Sequence, residues 1–204
     1  MPRTEAPPFE RGQTFYGQSP VPAIDTNNLG GVQHEGKIWE FEDIDYSSGV
    51  GAKGTRTGRM VKCMCVRNAS GIALLPQRLA VLQLSGLLFT GRVDGYAKVA
   101  PAANRAYPID EFLPAAGCPN NDMCWVVVEG PAMCLTDIAA LNSIVAGDPL
   151  IAQTAATSQC TTAGRIILMD MTSLTQRFGM VGYALSAKTT NNTAASILVD
   201  VRTW

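Results

Sequence analysis

Apolar and polar positions along this chain fall into short runs and alternations, the pattern of strands rather than of long helices. The clearest stretch runs from Cys124 to Ile151. It opens with Trp125-Val126-Val127-Val128, an apolar, β-branched run closed by Gly130-Pro131, which predicts a buried strand and its stop. Thr136 or Asp137 then caps one short helix over about 136–146, with Ile138, Leu141 and Val145 at helical spacing. Gly147 ends it, and Asp148-Pro149 launches a strand at Leu150-Ile151.

Upstream, Ile38 to Glu42 alternates weakly and Arg59 to Arg67 reads as a strand. Asn68 to Gly71 is a turn, and Ile72 to Leu75 resumes the strand. Arg78 to Leu84 and Leu87 to Val93 are two more strands, with Asp94-Gly95 as a turn before Tyr96 to Val99. Residues 101–123 form an irregular insertion. Downstream, strands are expected at Arg165 to Met169, Met180 to Lys188 and Ala195 to Arg202; in the last, Ile197, Val199 and Val201 share one face. The fold class is therefore mainly β, one domain over 37–204.

Residues 1–36 differ. Five of the twelve prolines lie here, Gly30-Gly31 ends the segment, and no period of 2 or 3.6 runs through it. Isolated apolar residues Phe9, Phe15, Tyr16, Val21 and Ile24 suit an extended arm that plugs side chains into a partner surface, and Trp204 at the other end is a further candidate plug.

Composition narrows the function classes. Hydrophobic residues make up 47% and charged residues 16%, the latter well below the roughly 25% of ordinary soluble domains. Net charge is −1, with no basic run to hold nucleic acid or an anionic membrane. The start shows no apolar signal segment, so no secretion is expected. The six cysteines include no CxxC pair, and buried reduced thiols are expected, with no metal site. Cys63 and Cys65 share a strand face.

Catalytic patterns are weak. Gly49 to Gly54 fits GxGxxG, but a polar segment precedes it and a β segment follows, so a loop is expected rather than a dinucleotide site. His34, the sole histidine, lies in the arm and is expected to be solvated or to face a partner. The carboxylate pairs Asp43/Asp45 and Asp110/Glu111 are expected to be solvated charges or turn caps. No catalytic residue and no cofactor is assigned.

Two stretches carry a family resemblance: Tyr107 to Pro131, and the tail with Gly147-Asp148-Pro149-Leu150, Phe178 to Ala187 and Ile197 to Val201. Over roughly residues 58–204 the chain resembles the head decoration, or cement, proteins of tailed bacteriophages, especially the small all-β type that trimerises on the capsid. The resemblance implies a compact β-sandwich or barrel-like (β-tulip-like) domain and a structural protein rather than an enzyme. It also implies a homotrimer on the outer surface of the virion, assembled in the host bacterial cytoplasm, with the major capsid protein as partner. Other virion roles, such as a tail or fibre adaptor, and a small ligand-binding β domain or enzyme are the alternatives.

Overall fold

A computed structural model describes residues 6–15, 34–45, 54–85, 88–97, 106–137, 143–152, 164–169, 180–188 and 194–202. Strands dominate, as expected. They are β1 (Ile38–Asp45), β2 (Gly54–Asn68), β3 (Leu79–Ser85), β4 (Leu88–Tyr96), β5 (Ala106–Pro108), β6 (Met123–Leu135), β7 (Pro149–Ala152), β8 (Ile166–Leu168), β9 (Met180–Ala184) and β10 (Ser196–Arg202). One hydrogen-bonded path joins them in the order β5-β3-β4-β2-β6-β10-β9-β7-β8, with β1 added on β2.

β6 is the spine. Its first half pairs antiparallel with β2 (Cys65 opposite Trp125), and its second half with β10 (Cys134 opposite Ile197). Glu129 faces Lys62 on one edge and Arg202 on the other, so the two partners lie on opposite edges and overlap there. The path is open, yet both of its ends turn back to the spine. Ile109, just past β5, bridges Val126, and Thr136, just past β6, bridges Ile166 of β8. Each half therefore curls in the barrel-like sense, and the halves share β6.

Alternation along β6 splits the core. Cys124 and Val126 point into one cluster with Val66, Leu82, Val93 and Ile109. Trp125 and Val127 point into the other, which continues through Ala132 and Cys134 to Ile197, Val199 and Val201. The buried face thus moves from odd to even positions along β6. The ladder between β2 and β6 has an irregularity at Lys62/Cys63, opposite Val127 and Glu129, and the residue between them is the extra one that switches the face.

Several expectations need correction. Gly130-Pro131 does not stop the strand; β6 runs through it to Leu135. Gly130 takes φ +101°, and a Cβ there would lie 2.6 Å from the Met60 carbonyl oxygen, so the glycine serves a close crossing rather than a turn. Asp94-Gly95 likewise lies within β4: Val81 pairs with Gly95 and Leu82 with Val93, leaving Asp94 as a bulge. The helix expected over 136–146 is not seen. Thr136 is in an extended bridge, Ile144 bridges Lys188, and residues 146–147 are a turn, while 138–142 lie outside the described residues. At the described ends of this span, long-range pairing holds Thr136 and Ile144 in extended bridges rather than in helical turns. Of the irregular insertion expected at 101–123, residues 101–105 lie outside the described residues, and the rest joins the body, holding β5 and buried Ile109, Leu113 and Cys118.

Candidate functional site

The site begins with Trp125, fully buried at the middle of the spine's first half. Its indole gathers Phe9 (centroids 4.7 Å apart, stacked), Phe41 (5.1 Å) and Trp39 (5.3 Å), the latter two edge-on. Phe41 and Trp39 arrive from β1; Phe9 arrives from the N-terminal segment. Phe15 follows at 5.8 Å from Phe9 and pairs its backbone with Met123 in both directions, at 3.0 and 2.8 Å. Residues 6–15 are thus fastened to the edge of β6.

Charge completes the attachment. Arg11 Nε donates to Asp110 Oδ1 at 3.1 Å, its Nη2 lies 3.0 Å from the same oxygen, and the guanidinium sits 4.5 Å from the Phe112 ring centre. The Gly12 N–H donates to Asp110 Oδ2 at 2.6 Å. Gly12 takes φ +82°, and a Cβ there would come within 3.0 Å of the Phe112 carbonyl oxygen, so glycine is required.

A second arginine mirrors the first. Between Glu42 and Ile44 the β1–β2 register slips, so that Arg56 to Arg59 loop round Asp43. Arg56 Nη2 and Thr57 Oγ1 each donate to Asp43 at 2.6 Å. The same guanidinium holds Glu111 by a fork of 2.8 and 2.9 Å. Glu111 also accepts from the Met133 N–H at 3.3 Å and lies 3.6 Å from Arg11 Nη2. Two guanidiniums therefore face three carboxylates, which couple residues 10–12, β1, β2, β6 and the 109–113 turn.

Burial pushes the Asp110 carboxyl above the ordinary carboxylate value, while Arg11 and the Gly12 and Phe112 N–H groups act to lower it. Burial would lower both arginines, but their carboxylate partners outweigh it and each is raised. Of the two expectations for these carboxylates, solvated charges or turn caps, the first is wrong for Asp43, Asp110 and Glu111, since Asp43 and Asp110 are fully buried and Glu111 nearly so. The second holds for Asp110, which accepts from the Phe112 N–H two residues on. The missed signal is position. Asp110-Glu111 sits between Tyr107-Pro108-Ile109 and Phe112-Leu113, where a carboxylate in an apolar run requires a cation partner.

Beside this network lies a groove of about 300 Å³. Phe41, Ile44, Met60 and Phe112 supply its apolar lining; Glu10, Glu40 and Glu42 supply carboxylates, with Arg11 at its inner wall.

Two smaller ion clusters fix other parts. Glu35 meets Arg67 at 2.8 Å and Arg92 at 3.2 Å, tying residues 34–37 to β2 and β4. Lys188 Nζ donates to the Asp137 carbonyl at 3.0 Å, with Arg165 3.8 Å from the Asp137 carboxylate. Desolvation lowers both Arg165 and Lys188.

Among the candidate partner contacts, Phe9 belongs to this chain's own core, and Phe15, 36% exposed, is half engaged with it. Tyr16, Val21, Ile24 and Trp204 lie outside the described residues. His34 packs edge-on against Trp39 at 5.8 Å. Cys63, Cys65, Cys118, Cys124 and Cys134 are free, buried thiols, and Cys160 lies outside the described residues. Among the described residues no group of three or more His, Cys, Asp or Glu could hold a metal ion, and no helix is long and apolar enough to cross a membrane. Comparison with protein-family models, with curated proteins and with solved structures returned no match.

Proposed function

We propose that this chain is a structural virion protein of a tailed bacteriophage. In this reading it binds the outer face of the head as a homotrimer and cements neighbouring major capsid proteins against internal DNA pressure. It works by protein–protein contact, without catalysis, nucleic acid or membrane. The resemblance to decoration proteins over roughly residues 58–204 and the mainly-β body support the reading.

The observation that carries it is the mount at residues 6–15. Aromatic stacking on Trp125, backbone pairing at Phe15 and the Arg11–Asp110 ion pair fix the start of the proline-rich stretch to a rigid sheet. A contact surface held on a fixed body loses less entropy on docking than one on a loose tether, and many such contacts across a shell add by avidity. The test is cryo-electron microscopy of the particles made by the virus that encodes the chain. The reading expects its density on the outer shell, bridging capsomers at local threefold positions. Density at the tail, or none on the shell, overturns it.

A further inference from the structure

The groove beside β1 has the makings of a strand-docking slot. We propose that it takes an extended segment of a partner protein, alternating Lys or Arg with small apolar residues, which adds to β1 as a further strand. The inference goes beyond head binding and does not rest on it, because any chain of this chemistry would serve.

Three observations converge. β1 pairs with β2 and, among the described residues, with no other strand, so among them its second edge over Glu40 to Ile44 has no strand partner. Glu40, Phe41 and Glu42, three consecutive residues, all line the groove. The same groove reaches Glu10, Arg11 and Phe112 on one side of β1 and Met60, paired with Glu42, on the other, so it follows the length of β1. The third observation is charge. Glu10, Glu40 and Glu42 are exposed around an apolar floor that includes Met60, itself 49% exposed. Lys62, opposite Glu40 in register, is engaged by Glu129 at 2.7 Å. Behind the groove, the two arginines already face three carboxylates. The volume of about 300 Å³ is at the low end for ligand pockets and suits one or two side-chain plugs.

The same charges choose the occupant. The arm, residues 1–36, carries two arginines, Arg3 and Arg11, against four carboxylates, Glu5, Glu10, Asp25 and Glu35, so a sister arm is net acidic and does not complement the rim. Antiparallel pairing of two β1 strands would bring Glu40 and Glu42 together across the junction, like charges in cross-strand contact. A basic segment of a different chain satisfies both edge and rim.

The probe is the fluorescein-labelled hexapeptide KVKVKV, with EVEVEV as control, followed by anisotropy and by amide shifts on the full chain. KVKVKV is expected to bind with shifts centred on residues 40–44, and affinity should fall at least tenfold in E40K/E42K and in 0.5 M salt. E40Q/E42Q, which removes charge with little change of shape, should give an intermediate loss. Binding no tighter than EVEVEV, binding unchanged in both variants, or shifts elsewhere overturns the proposal. Equal binding of a backbone N-methylated KVKVKV overturns strand addition. Self-association through residues 40–44, seen by sedimentation, overturns the choice of a foreign partner.

Discussion

Arg11 and Asp110 meet across 99 positions of sequence, with the arginine Nε 3.1 Å from a fully buried carboxylate oxygen. The pair makes the N-terminal segment part of the body's interior. Losing the cation leaves a buried carboxylate held by the Gly12 and Phe112 N–H groups alone, which favours its protonated form.

Arg11→Ala is therefore expected to destabilise by about 3–5 kcal/mol at pH 7.5, the usual penalty for breaking a buried pair. The sign with pH follows from Asp110. Without Arg11 its folded value rises further above the unfolded one. Asp110 is protonated in both folded proteins at low pH, and the penalty grows as pH climbs from its folded value with Arg11 towards its higher folded value without it. Urea midpoints of both proteins at pH 4.5 and 7.5 check this; the gap should be smaller at pH 4.5. An equal gap at both would assign Arg11 a packing role alone.

Truncation should behave differently from what the sequence pattern suggests. That pattern sets residues 1–36 apart as a partner-binding arm and makes 37–204 the folded domain. Since Phe9 is 7% exposed and stacked on Trp125, deleting residues 1–15 opens the core and strands Asp110. Phe9→Ala alone should cost about 3–5 kcal/mol. Thermal melting of the two variants tests this, and a deletion that melts like the full chain would contradict it.

How much of this was legible beforehand depends on the range of the interaction. Strand positions such as Arg59 to Arg67 were readable because period-2 burial is local, and Trp125 was rightly expected in the core. Gly130-Pro131 misled because the local signal for a turn is also what a crossing strand needs. The ion network was hidden because its partners are far apart in sequence: Arg56 finds Asp43 thirteen residues away and Glu111 fifty-five away. Nothing in either neighbourhood names the other.

Gly130→Ala isolates that crossing. A Cβ would press on the Met60 carbonyl while the backbone holds φ +101°, so a loss of about 1–3 kcal/mol is expected. Gly147→Ala, also at positive φ (+95°) but with open space around it, should cost less. Chemical denaturation of the pair decides; equal losses would mean that backbone strain, and not the crossing, sets the cost.

The buried thiols predict weakness in alkali. Burial pushes Cys63 and Cys65 up to about 12 from the usual 9.0, and Cys134 is raised further. Above pH 9 the unfolded chain loses thiol protons that the folded chain keeps, so stability should fall between pH 9 and 12. Urea midpoints at pH 8 and 10.5 should separate, and the separation should shrink in Cys63→Ala/Cys65→Ala. A drop of the same size in that variant would assign the effect to other groups.

The cement role itself is tested most directly by adding the purified chain to DNA-filled heads that lack it and heating them until DNA escapes. The account predicts that the chain co-sediments with the heads and raises the release temperature. Heads that bind none of it, or that bind it and release DNA at the unchanged temperature, would contradict it.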